Sequence, residues 1–306
     1  MPRPRIIGIV GPKGGVGKTT LSGNLALDLT RIGARVVVMD LDLGSANLHV
    51  IFGLKNVPRT LDDFLLNKVA GLEEVLLPTG LPNLHLIAGG NVPGIAALPY
   101  QRKLKLVRHL EKLPCDFVIL DLSPGASHNM ADFALIAWKC LLVTTPDVPS
   151  LMSLYSFIKT AAHRRLTLFF RQSGAEDLSR LLERAKDVEA NPDLKTMRDF
   201  HAQAEAVNPV VARQARELLD RLGFLIAVNR VRTDADLKAG QAIRQLMADY
   251  LDLTVARDAL FRVREDPAVN RAAARLTPVL LSEPDCPFAQ DIRVLVRALT
   301  RHAAHE

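Results

Sequence analysis

The stretch Gly-Pro-Lys-Gly-Gly-Val-Gly-Lys-Thr at residues 11–19 combines glycines with a terminal Lys-Thr pair, directly after the apolar run Ile6–Val10 and directly before Thr20-Leu21-Ser22. Glycines let a chain curl so that its backbone N–H groups face a phosphate, and a helix starting at the end of the curl adds its positive pole. Gly14, Gly15, Val16, Gly17, Lys18, Thr19 and Thr20 are therefore the expected phosphate-binding residues. Lys18 has the position to bridge β- and γ-phosphates and Thr19 the hydroxyl to hold Mg²⁺. Two apolar runs end in carboxylates: "VVVMDLD" at Asp40, with Asp42 two residues on, and "FVILD" at Asp121. Acidic groups at strand ends beside a phosphate loop can hold Mg²⁺ or orient an attacking water, so Thr19, Asp40 and Asp121 are the expected metal set. One lysine suffices for the phosphates. Lys13 is a second cation on the same loop.

These residues need strands to carry them. Short apolar runs predict strands at Arg5–Val10, Arg35–Asp40, Leu84–Ala88, Phe117–Asp121, Cys140–Thr144 and Phe224–Asn229. Amphipathic helices are predicted at Thr19–Ile32, Gln101–Leu113 and Leu151–His163. Leu166–Phe170 fits either a strand or a continuation of the helix before it. The pattern is an α/β fold: a mostly parallel β-sheet flanked by helices on both faces. Residues 1–306 are expected to form a single domain, with a helical insertion at about 172–223 broken near Asn191-Pro192 and Asn208-Pro209. A helix at Asp236–Tyr250, a short strand or loop at Leu253–Ala256 and a last helix from about Phe288 complete the pattern.

The whole chain has 39 Lys and Arg against 33 Asp and Glu, a net charge of +6, and 48% hydrophobic residues. The mild excess permits an anionic partner without requiring one. Cys115, Cys140 and Cys286 form no C-x-x-C pair, which argues against a disulfide framework, a thiolate metal site or a bridged cluster. No run reaches the length of a membrane span and no signal-peptide core precedes the loop, so a cytoplasmic location is expected.

The loop, with Lys13 five residues before Lys18, resembles the deviant Walker A family, the MinD/ParA class of P-loop ATPases. That resemblance implies ATP and Mg²⁺ as ligands and slow, partner-stimulated ATP hydrolysis. It also implies an ATP-dependent homodimer in which Lys13 reaches the partner's nucleotide. It gives Asp42 the role of positioning catalytic water, Asp121 that of the Walker B aspartate, and Asn229, in "VNRVR", that of reading the adenine edge. Lys13, Lys18, Asp42 and Asp121 then form the catalytic set. "LDLGSANLHVIFGL", "LIAGG" and "ILDLSPGASHNMADF" are most similar to the FlhG/FleN subgroup, which implies control of flagellar number or position. The partner would be a flagellar assembly GTPase or a transcription regulator, with recruitment to the cell pole or inner membrane face. Walker B continues here as Leu-Ser-Pro-Gly-Ala and not as the commoner "SPAG", which leaves Ser123 and Gly125 without an assigned role.

Three questions stay open in the residues themselves. A ParA-like partitioning ATPase that binds DNA nonspecifically is the alternative function, with Arg257, Arg262, Arg264, Arg271 and Arg275 as its basic surface. In the last helix Ile292, Leu295, Val296 and Leu299 share one face, with Arg293, Arg297 and Arg301 on the other. That pattern suits either core packing or a lipid surface. His128 and Asn129 follow the Walker B turn, where they can serve as a cap, a surface pair, or a contact to the dimer partner or the γ-phosphate.

Overall fold

The computed structural model describes residues 3–42, 45–90 and 99–300. The chain enters through β1 (Arg5–Val10), turns through the glycine-rich loop and continues as α1 (Lys18–Arg31) and β2 (Val36–Leu41). Two short helices, α2 (Leu48–Ile51) and α3 (Leu61–Leu65), precede β3 (Leu77–Pro78) and β4 (Leu84–Ile87). Then strand and helix alternate: α4 (Tyr100–Leu110), β5 (Phe117–Leu122), α5 (His128–Ile136), β6 (Lys139–Thr144) and the long α6 (Val148–Gln172). The helices α7 (Glu176–Arg184), α8 (Met197–Val207) and α9 (Pro209–Asp220) lead to β7 (Phe224–Val231), α10 (Lys238–Leu251) and β8 (Leu260–Arg264). The described chain closes with α11 (Pro267–Ala274), α12 (Val279–Ser282) and α13 (Pro287–Thr300).

The strands form one sheet in the order β3-β4-β2-β5-β1-β6-β7-β8. Every pairing is parallel except that of β3 with β4. Side chains alternate across each strand, and here both sides are apolar because both faces are covered. From β1, Ile6 and Val10 face one core while Ile7 and Ile9 face the other; from β5, Val118, Leu120 and Leu122 oppose Phe117 and Ile119 in the same way. Helices α1 and α11–α13 cover one face, and α3–α10 cover the other.

The segment Leu166–Phe170 continues α6, with Leu166 and Phe170 buried on its inner side. Residues 172–223 are helical, with breaks where expected. Thr196 and Asp199 cap α8 reciprocally, and Asn208 accepts from Val211 N to start α9 behind Pro209. Leu253–Ala256 is a loop; the eighth strand lies later, at Leu260–Arg264. The sequence reading missed that strand because a half-exposed edge strand, Leu-Phe-Arg-Val-Arg, lacks the apolar run of a central one. It missed the two-residue β3 as well.

In α13, Ile292, Leu295, Val296 and Leu299 are buried in the core. The lipid-facing alternative for that apolar stripe is thereby excluded; Arg301 lies outside the described residues. Among the described residues no helix is long and apolar enough to cross a membrane.

Candidate nucleotide site

β1 runs through the middle of the sheet, so its carboxyl end opens between β5 and β6 and delivers the loop 11–17 there. Gly15 and Gly17 have φ of 77° and 96°, a left-handed conformation that favours glycine. At Gly17 a second restriction applies, because a Cβ would lie 2.3 Å from Nδ2 of Asn229. Some helices of this fold begin with a side-chain cap, Ser127 for α5, Asp147 for α6 and Asp266 for α11, whereas α2, α4, α10 and α12 have neither a cap nor a first-turn acid. Helix α1 has Gly17 in that position, no side-chain cap and no acidic residue in its first turn. Its first N–H groups and positive pole are left for an anion.

Lys18 is buried at the start of α1. Burial pulls its pKa down, opposed by the charges of Asp121, Asp42 and Asp40, so all three expected carboxylates act on this lysine. Asp40 and Asp121 stand opposite one another on neighbouring strands. Burial pushes Asp40 up to about 6, against the pull of backbone hydrogen bonds from Leu48, Asp42 and Asn47. Burial, reinforced by Asp40, pushes Asp121 up to about 7, while hydrogen bonds from Thr19 and Ser22 work in the other direction. Asp42 is half-buried; burial raises its pKa and Lys18 lowers it. Burial disfavours the anionic form of both carboxylates, and a divalent cation beside them would favour it.

The details divide the expected metal set. Asp121 Oδ1 accepts from the Ser22 hydroxyl at 3.0 Å. Asp40 has both oxygens occupied by the loop after β2: Oδ1 accepts from Asp42 N at 3.0 Å, and Oδ2 accepts from Asn47 N and Leu48 N, each at 2.9 Å. Asp40 in this arrangement shapes the loop that carries Asp42. Among the described residues no three His, Cys, Asp or Glu side chains converge as a metal cage. A cation here would be held as Mg²⁺ commonly is, by a hydroxyl and a carboxylate together with phosphate and water.

The two loop lysines differ. Lys13 is half-exposed, and its Nζ donates to Asp147 Oδ1 at 2.7 Å. Asp147 also caps α6, accepting from Ser150 N, and it accepts from the hydroxyls of Thr145 and Ser150. Burial would raise the Asp147 pKa, but these bonds, that from Lys13 foremost, hold the carboxyl far below the usual range. The sequence signal for this residue was the Asp-Val-Pro-Ser run, a helix start with proline in the first turn.

Asn229 is buried against the loop: Nδ2 donates to Val16 O at 2.7 Å and Oδ1 accepts from Arg230 N at 2.9 Å. Arg230 follows with a φ of 58° and donates to Gly15 O at 2.8 Å. Two consecutive side chains from the end of β7 thus hold the rim of the phosphate loop, a role the sequence reading did not assign. Gly125, at a φ of 110°, donates its N–H to Pro12 O at 2.6 Å and ties the turn after β5 to the same loop. His128 is exposed at the start of α5, where Ser127 and not His128 or Asn129 supplies the cap.

The signature described as CbiA, the CobQ/CobB/MinD/ParA nucleotide binding domain, matches residues 7–279. The septum site-determining protein MinD of Thermotoga maritima is 30% identical over 148 residues, 48% of this chain and 54% of that protein. The antiactivator FleN of Pseudomonas aeruginosa is 32% identical over 157 residues, 51% of this chain and 55% of that protein. The matched stretches span about half the length of these relatives. Septum-site and flagellar relatives match alike, so the resemblance to FlhG/FleN is no sharper than that to MinD. Among solved structures, MinD complexed with Mg-ADP from Pyrococcus horikoshii shares the fold, with a TM-score of 0.62 at 22% identity and 98% of each chain covered. With the signature spanning most of the chain and the uncapped α1 at the end of β1, the chain belongs to the CobQ/CobB/MinD/ParA nucleotide-binding family.

Proposed function

We propose that this protein is an ATP-hydrolysing switch that dimerises with ATP bound and controls the position or number of a cellular structure. The observation that carries this reading is the division between its two loop lysines: Lys18 is buried among carboxylates, while Lys13 stands at the open side of the loop on a carboxylate it can leave. Lys18 and the N–H groups of α1 would hold the phosphates. Thr19 and Asp121 would hold Mg²⁺, which supplies charge neutralisation at the phosphates when bound. Asp42, on the loop set by Asp40, would orient the attacking water. Asn229 would meet the adenine edge with the hydrogen-bonding capacity left after its contact with Val16.

Flagellar control is the task we propose, from the stretches that resemble the FlhG/FleN subgroup; septum-site relatives match equally well. Of the five arginines behind the DNA-partitioning alternative, three have acidic partners, and Arg275 is exposed. Arg264 is bridged to Asp291 at 2.8 Å, Arg271 to Glu283, and Arg262 lies 4.0 Å from Asp234. Side-chain contacts of Arg257 lie outside what the structure describes. Pairing reduces the field available to a phosphate backbone and supports the first reading.

Light scattering with ATP and Mg²⁺ tests the switch. The wild-type chain should shift from monomer to dimer, Lys13→Ala should lose the shift while still binding a fluorescent ATP analogue, and Asp42→Ala should remain dimeric. An Asp42→Ala chain that stays monomeric with ATP would sink the proposal. Imaging a functional fluorescent fusion separates the two tasks: a polar focus supports flagellar control, and coverage of the nucleoid supports partitioning.

A further inference from the structure

Helices α4, α5 and α6 lie side by side on the sheet face, away from the carboxylate cluster. Together they carry eight Lys and Arg residues and a single carboxylate, Asp132. The whole chain has a net charge of only +6, so these three helices are unusually basic for it. Between the helices is a cleft of about 190 Å³, lined by Leu104, Val107, Ile136 and Leu168 with Lys103 and Arg165 among them. Asp132 is already occupied: Lys103 bridges it from α4, and Arg164 donates to it through Nε at 2.7 Å and Nη2 at 3.2 Å. Arg165 has no such partner. Its Nε is sealed from solvent and has no acceptor among the described residues. With Nε sealed, an incoming anion would meet the part of the guanidinium that lines the cleft, where the described residues provide no ion pair to Arg165.

We infer that this cleft is a docking site for an acidic amphipathic segment of a protein partner, which places an apolar side chain in the cleft and a carboxylate on Arg165. Arg102 and Arg108 on α4 and Arg171 on α6 extend the positive surface along the segment's path. The apolar lining residues are recessed; none of them is among the exposed large hydrophobics. A bilayer gains little from the cleft itself, because its apolar lining does not protrude; the exposed Val148 and Met152 lie at the far end of α6. A nucleic-acid backbone can meet the outer arginines but presents no apolar side chain to the cleft. A peptide side chain meets both requirements. The site is also linked to the nucleotide loop, since α6 begins at the Asp147 cap that holds Lys13, about 25 Å up the helix from Arg165.

The test is fluorescence anisotropy of a labelled helical peptide with Glu and Leu on one face, titrated with the full chain. Saturable binding is expected, weakened roughly tenfold by Arg165→Gln and changed less than about twofold by Arg275→Gln, a remote exposed arginine. A second measurement needs no variant: amide hydrogen exchange of the wild-type chain with the peptide should show protection in α4 and the second half of α6. Absent binding, equal losses in the two variants, or protection elsewhere each overturns the proposal. So does tighter, Arg165-dependent binding to phosphatidylglycerol vesicles or to duplex DNA, which would assign the cleft to another class of partner.

Discussion

A methyl group on Gly17 would meet two obstacles at once. The backbone there has a φ of 96°, which costs any other residue about 1–3 kcal/mol. The added carbon would also lie 2.3 Å from Asn229 Nδ2, and that amide is fixed by its bond to Val16 O. The obstacles separate by mutation. Gly17→Ala should lower stability by both terms. Asn229→Ala should cost about 1 kcal/mol for its lost hydrogen bonds, and it opens the space a Cβ needs. The double variant should therefore be more stable than the sum of the single losses by about 1 kcal/mol, measured by urea denaturation. Strict additivity would show that contact with Asn229 does not restrict Gly17. The glycine was legible from the loop motif, and Asn229 was placed at the site by resemblance; their contact was not legible, because 212 positions separate them and only the order of β1, β6 and β7 brings them together.

Helix α6 shows how far an element can be read before its surroundings are known. The sequence placed it at Leu151–His163; the structure starts it three residues earlier, behind the Asp147 cap and with Pro149 in the first turn, and its inner stripe includes Leu154, Ile158, Ala161 and Leu166. Its full length could not be read, since the apolar Leu166–Phe170 fits a strand as well until the neighbouring α8 supplies Phe200 to pack on Phe170. The half-exposed β8 failed in the opposite way, too polar to be recognised without the α13 that covers it. A pH dependence belongs to α6 as well. Burial, reinforced by Lys159 and Lys186, pushes His163 down to about 4 from 6.5. The unfolded chain then binds more protons than the folded one between about pH 4 and 6.5, so stability is full above that window and falls as pH drops through it. The loss should be roughly 3 kcal/mol. His163→Gln should flatten the decline in a denaturation series across that range, and an unchanged slope would show that His163 is not its source.

At the scale of the molecule, the question is whether residues 172–223 fold with the sheet or beside it. Their apolar side chains, including Leu178, Leu182, Phe200, Ala215 and Leu219, share a core with Leu120, Leu142 and Ile226 of the strands. No separate core is left to sustain these helices alone, so we expect one cooperative unfolding transition. The chain contains a single tryptophan, Trp138, which sits at the entry to β6 between the cations of Arg5 and Lys139. Its fluorescence therefore reports the sheet, and far-UV circular dichroism reports the helices that dominate the chain. Phe200 is fully buried in α8, and Phe200→Ala should cost about 3–5 kcal/mol. If the layers are one unit, that loss moves the fluorescence and dichroism midpoints together, although Phe200 and Trp138 belong to different layers. If the helical segment is autonomous, dichroism shifts first and the tryptophan signal keeps its wild-type midpoint. A shared core predicts the joint shift, and with it a route by which a change at the helical layer alters the strands that hold the nucleotide loop.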